Sequence, residues 1–344
     1  MSRWYVAYPL RAARIMFIGA GIFSAGVSAG VATYAADPAK KEAELLAAAA
    51  AGGGAATVHV FDARKPGHVL VHSKGACALE ARATAPAATL QVERRVHVVL
   101  ERVLAGARQL AADRLRQAEE ALAQQNLGME GAVLRHEVED AKGALARVSG
   151  HWRLAVLDSP GAAPNAFVTA LCPRTFFVNE GLVLALEPSD DELAWCLGHE
   201  LAHLMHDHTQ RQTAAAAMLY SAVIVVMSFI DPTYGFFTDG LVHFAASLLT
   251  LAFSRAHELE ADSSGLEIAA AACFDTRAGI TLLQKMGQNS TAGGWLSTHP
   301  ASADRHDQLA GLAERIHKDA PSYGPHCQSV RRALATVFWN KPTF

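Results

Sequence analysis

Apolar and polar positions change period several times along the chain. Residues 57–73 alternate, with Thr57–Phe61 and His68–His72 flanking Pro66-Gly67, and this predicts two strands joined by a turn. From Thr89 to Arg147 the period is helical, with one interruption. Val92, Val96, Val99, Leu100 and Val103 recur on one face. Arg108–Gln125 continues as a charged amphipathic helix, Asn126-Leu127-Gly128 reads as a turn, and Glu130–Val148 returns as another helix. A solvated helical hairpin accounts for that pair. Trp152–Leu157, Asn165–Cys172 and Thr175–Asn179 read as three more strands, the last two joined at Pro173. Ser189 then starts a helix. Asp191 and Glu192 suit the positive end of its dipole, and Ser189 with Glu192 resembles a capping box. The fold class expected is α+β, mostly helical, with a small β-sheet.

Two regions raise the question of a membrane. Arg3, Arg11 and Arg14 precede 22 uncharged residues, Ile15 to Ala36, and no acidic residue comes before Asp37. That length crosses a bilayer core as a helix, with the arginines left on the non-translocated side. The same stretch also fits a cleaved signal, with Thr33 and Ala35 at the cleavage positions, or a mitochondrial presequence running into an anchor. Gly26 and Gly30 form a GxxxG that suits self-association. Residues 37–56 are Ala/Gly-rich and read as a linker, within a segment of linker and short strands over 37–88. Further on, Ala214–Ile230 and Leu241–Ser254 are uncharged, with a turn at Asp231-Pro232-Thr233-Tyr234-Gly235 between them. They read either as a hairpin dipping into lipid or as two buried helices.

Composition narrows the classes. The 344 residues are 51% hydrophobic and 18% charged, enough for a sizeable core and against wholesale disorder. A net charge of -3 carries no basic excess, so nucleic acid is not an expected partner. The five cysteines (Cys77, Cys172, Cys196, Cys273 and Cys327) are scattered, without a CxxC. They predict neither a zinc ribbon nor a disulfide framework.

The histidines carry the chemistry. His199-Glu200-Leu201-Ala202-His203 is an HExxH motif on the helix begun at Ser189. Residues four apart leave a helix only about 40° apart, so both imidazoles can grip one metal ion while Glu200 remains as a base. Catalytic zinc needs a third protein ligand and an open position. Glu258 and Asp262, four apart and 55 residues or more beyond His203, share a face, and Glu260 between them points elsewhere. Glu258 is assigned as ligand and Asp262 as acceptor for a ligand histidine's second N–H, with His257 and His243 as rival ligands. His299, before Pro300, and Arg305 form a third cluster, suited to an oxyanion beside the metal.

These residues resemble the zinc metallopeptidases that include the HtpX-type membrane proteases and the CAAX prenyl proteases, and most of all the OMA-type mitochondrial inner-membrane peptidases. The likeness runs through Asn165 to Val168, Phe176 to Val178, Gly181-Leu182, Leu197 to His203 with His208, Ser254 to Asp262, Gly265-Leu266, Ala272 to Arg277 and Trp295 to Pro300. It covers about 150–310, with a weaker match near Val92–Leu104. It implies a zincin-like domain over about 89–320, one Zn²⁺ on His199, His203 and Glu258, Glu200 as base, and Asp262, His299 and Arg305 around the site. It also implies membrane-anchored protein substrates, contact with membrane lipid, and a catalytic domain facing the intermembrane space. The alternatives are a bacterial periplasmic quality-control protease and a zinc-stabilised, non-catalytic membrane scaffold. Two features depart from the pattern: the hairpin at 107–147 looks inserted, and position 306 is His where the family usually has an aliphatic residue. The tail after about 320 is unassigned.

Overall fold

The computed structural model describes residues 57–319, less 63–68, 74–79, 83, 125–127, 159–163, 170–171, most of 213–254, 289–298 and 300–302, together with Cys327. The expected anchor at 15–36, the linker at 37–56 and the apolar hairpin, isolated positions apart, lie outside the described residues, as does the tail other than Cys327. Among the described residues no helix is long and apolar enough to cross a membrane.

Six strands form one mixed sheet: β1 (Thr57–Asp62), β2 (Val69–Ser73), β3 (Glu80–Arg82), β4 (Arg153–Asp158), β5 (Ala166–Val168) and β6 (Thr175–Asn179), in the order β3-β2-β1-β4-β6-β5. All pairs are antiparallel except β4 with β6. β6 is buried at every position, as expected for a parallel strand covered on both faces. The expected strand at Asn165–Cys172 shortens to three residues. Its pairing with β6 ends at Val168, opposite Phe176, and Arg174, just before β6, takes a left-handed φ of 56°. β3 is exposed throughout, and no alternation marks it in the sequence.

The helices are α1 (Ala87–Gln124), α2 (Gly128–Val148), α3 (Glu180–Leu184), α4 (Asp190–Met205), α5 (255–271), α6 (Ala278–Gln288) and α7 (Ala303–Asp319). α1 runs unbroken through the predicted core helix and the first arm of the hairpin. Its buried stripe, Val92 to Ala111, stops where the charged part begins. Arg108 donates to the carbonyls of Val148 and Gly150, so α2 returns antiparallel along α1. Arg102 donates to the carbonyls of Ala272 and Cys273 and lies 3.7 Å from the Phe274 ring centroid, which ties α1 to the end of α5.

α4 is the central helix. Ser189 caps it through the predicted box: Glu192 N–H donates to Ser189 Oγ at 3.2 Å, and Ser189 N–H donates to Glu192 Oε2 at 2.6 Å. Leu193 to Ala202 are all buried, so this helix is covered on every side. Gly198 meets Gly265 on α5. A Cβ at Gly198 would stand 2.9 Å from the Gly265 carbonyl oxygen, and one at Gly265 would stand 2.9 Å from the His199 nitrogen. The two backbones therefore touch where the motif begins.

The cysteine pattern misled on one point. Cys273, just after α5, forms a disulfide with Cys327 across 54 residues, while Cys172 and Cys196 are free and buried. Pairing requires proximity in space, which scattered spacing does not report.

Candidate metal centre

α4 and α5 bring the predicted ligands together. His199 and His203 leave α4 one turn apart, with their Nε2 atoms 3.0 Å from each other. Glu258, on the first turns of α5, places Oε2 3.5 Å from His199 Nε2 and Oε1 3.3 Å from His203 Nε2. His299 adds Nδ1, 3.3 Å from His199 Nε2 and 2.9 Å from Glu258 Oε1. One ligand atom from each of these four residues lies within 4.8 Å of the others. Three ring nitrogens facing one another at such distances repel through their lone pairs unless a cation or proton lies among them. A donor set of imidazoles and one carboxylate suits a borderline divalent ion. The residues therefore fit a metal ion. His299 is placed at ligand distance as well as beside Glu200, whose Oε1 lies 3.3 Å from His299 Nε2. Glu200 itself is buried and stands outside the group of four.

Other side chains hold the ligands in place. Asp262, one turn after Glu258, sets Oδ1 2.9 Å from His199 Nδ1, which leaves Nε2 for the metal. Arg305, on α7, donates Nε and Nη2 to the two oxygens of Asp262, and its Nη1 lies 2.9 Å from Glu258 Oε2. Its guanidinium is 2% exposed and is spent on these carboxylates and on the His299 carbonyl. Burial pushes the Asp262 carboxyl up, but hydrogen bonds from Arg305 and His199 more than reverse this and hold it below its ordinary value. Burial likewise opposes charge on Glu258, and hydrogen bonds from His199, His203 and His299 leave it well below the usual carboxylate range. For His199, burial lowers the value, and hydrogen bonds to Asp262 and Glu258 overcome it, raising it to about 9. The two carboxylates thus favour the protonated His199 ring when no metal is bound.

Sequence reasoning missed the next residues out. His208 Nδ1 lies 2.8 Å from His203 Nδ1, and its Nε2 lies 3.0 Å from Glu260 Oε2. Glu260, read from the helix period as pointing elsewhere, therefore supports His203 through His208. The signal lay in His208 standing five residues after His203, too far for one helical face. Of the rival ligands, His257 stacks on the His208 ring at 4.2 Å instead of joining the four donors, and His243 lies outside the described residues. Trp295 to Thr298 also lie outside them.

Two imidazoles one turn apart, a carboxylate from a second helix and a glutamate beside them, outside the ligand set, define a metallopeptidase centre of the HExxH type. The family model of peptidase family M48 matches residues 130–313, and the chain belongs to that family of metal-dependent peptidases. It is 36% identical over 159 residues to the mitochondrial metalloendopeptidase OMA1 of Schizosaccharomyces pombe, covering 45% of this chain and 44% of that protein. The mitochondrial metalloendopeptidase OMA1 of Bos taurus is 30% identical over 199 residues, covering 54% and 37%. A protease HtpX homolog of Methylibium petroleiphilum is 30% identical over 189 residues, covering 44% and 65%. The chain spans less than half the length of these two OMA1 relatives.

Proposed function

We propose that the chain is a membrane-anchored zinc metalloendopeptidase that cleaves membrane-anchored proteins. The observation that carries this reading is a buried Glu200 that stands beside the convergent ligand residues and outside their set. A structural metal site has no use for such a base. His199, His203 and Glu258 would hold one Zn²⁺, which when bound supplies Lewis-acid polarisation of a carbonyl and a water molecule. Glu200 accepts the water's proton at its carboxylate and passes it to the departing amine. Asp262 keeps the His199 proton on Nδ1. His299, which contacts both Glu258 and Glu200, would meet an oxyanion formed beside them. Arg305 acts beside it by fixing Asp262, Glu258 and the His299 backbone.

β5 is the edge of the described sheet, and a cleft of about 370 Å³ opens beside it, lined by Val168, Trp152, Thr175, Leu204 and His203. An extended substrate pairing with β5 would run past the ligands and place a side chain in that cleft.

Mitochondrial inner-membrane quality control, with the catalytic domain in the intermembrane space, is the setting we infer. The names of the OMA1 relatives support it, together with the basic start and the apolar Ile15–Ala36. The Cys273–Cys327 disulfide suits an oxidising compartment. Membrane lipid would meet the apolar 214–254 segment, and Gly26 and Gly30 would allow self-association. The second reading is a bacterial envelope protease, supported by the HtpX relative. Sequencing the mature N-terminus separates the two, since a start near Asp37 favours the envelope enzyme. The function itself is tested by comparing wild type with Glu200→Gln in membranes bearing candidate anchored substrates. Wild type should cleave and the variant should fall by about 10²–10⁴-fold while retaining zinc. Equal cleavage by both would overturn the reading.

A further inference from the structure

We propose that His206, His208 and Glu260 form a second site for a divalent transition-metal ion, next to the catalytic centre and restraining it when filled. One ligand atom from each residue lies within 4.8 Å of the others. His206 Nδ1 is 3.2 Å from Glu260 Oε1, and His208 Nε2 is 3.0 Å from Glu260 Oε2. Ligands at about 2.0–2.1 Å in a tetrahedral site stand about 3.3 Å apart, so each histidine already lies at that distance from a Glu260 oxygen, and the histidine nitrogens, within 4.8 Å of each other, close by at most about 1.5 Å.

The backbone is bent to make this cluster. Residues two apart on a helix point to opposite sides. His206 caps α4 and His208 opens the next helical turn. Between them Asp207 takes a left-handed φ of 57°, which turns both rings to one side, stacked at 5.4 Å and 14°. Asp207 is in turn paired with Arg147 at 3.6 Å. The second nitrogen of each ring has its own partner: His206 Nε2 meets Ser264 Oγ at 2.7 Å, and His208 Nδ1 meets His203 Nδ1 at 2.8 Å. Ligand histidines are held in this way. His257 presents its ring face to His208, not a nitrogen. Glu260 is 43% exposed in its side chain, giving an ion a path from solvent and room for water as a further ligand. Arg114 and Arg211 act on His206 with positive charge, so the second ion binds more weakly than the first.

The effect on the catalytic centre rests on the zinc-peptidase reading. With His203 Nε2 turned to the catalytic metal, its Nδ1 carries a proton and donates it to His208 Nδ1. The proton of His208 is then on Nε2, facing Glu260. An ion on His208 Nε2 moves that proton to Nδ1, where it meets the Nδ1 proton of His203 across 2.8 Å. Neither N–H has an acceptor there, so the two rings must part, and a filled second site loosens the hold of His203 on the catalytic metal.

The test titrates the full-length, metal-stripped chain in detergent with Zn²⁺ against a chromophoric chelator, alongside peptidase assays. Wild type should bind two equivalents, one tight and one weaker. His206→Gln should weaken only the second, by more than the roughly 10–100-fold that loss of an outer partner costs, and Glu260→Gln should weaken the second by as much. Wild-type cleavage should fall as the second equivalent fills, while His206→Gln holds its rate at the same free zinc. A single equivalent in wild type, or a second equivalent unchanged in both variants, overturns the site. Two equivalents with no cleavage at any zinc level would uphold the site and sink the proposed function. One equivalent with full cleavage would do the reverse.

Discussion

Gly265→Ala tests the idea that two glycines set the metal centre. The new Cβ would stand 2.9 Å from His199 N, 3.0 Å from His199 Cα and 3.3 Å from the Gly198 carbonyl carbon. All three are backbone atoms on α4, so no side chain can swing aside. Reaching ordinary contact at 3.4 Å requires α4 and α5 to part by about 0.5 Å. Overpacking of this kind costs about 1–3 kcal/mol, and replacing a helical glycine with alanine returns about 1 kcal/mol. Net stability should therefore fall by only about 0–2 kcal/mol. The metal centre is less tolerant. Glu258 and Asp262 sit within two turns of Gly265 on the same helix, and metal–ligand distances hold to about 0.2 Å. Zinc affinity should fall by about 10–100-fold and cleavage by up to about 100-fold. The assay is chelator competition for zinc, with chemical denaturation in parallel. Gly311→Ala is the control: it lies on α7, a Cβ there meets nothing within 4 Å, and it should stabilise by about 0.5–1 kcal/mol with zinc binding intact. If Gly265→Ala behaves like Gly311→Ala in both measurements, the close approach does not position the ligands and the reasoning fails.

Two other outcomes follow from the structure. In the metal-free chain His199 is raised from 6.5 to about 9, so its contacts stabilise fully below pH 6.5 and are lost as pH rises through about 9. Zinc must displace that proton, so apparent zinc affinity should rise about tenfold per pH unit and level off near pH 9; an affinity flat over that range would contradict the site's electrostatics. Cys273→Ser opens a loop of 54 residues and should cost about 4 kcal/mol in the chain-entropy model, measured by denaturation without reductant. Wild type treated with reductant should lose the same amount.

The sequence by itself determined what depends on neighbours a few residues away. Thr175–Asn179 is a strand with the predicted ends, Ser189 caps α4 through the predicted box, and the HExxH spacing places two imidazoles on one face. Each follows from the period of a helix or strand and from hydrogen bonds within one turn. Glu258 and Asp262 were also legible, because their spacing of four is a local signal. Tertiary structure alone decided the rest. Arg305 was read as an oxyanion group, yet burial beside Asp262 and Glu258 engages its guanidinium with carboxylates. Glu260 was set aside on helix period, but the left-handed turn at Asp207 brings His208 to it. The Gly198–Gly265 contact and the Cys273–Cys327 bond join residues more than 50 positions apart. Such pairs leave no periodic trace in the chain, because their distance is set by how helices pack and not by the path between them.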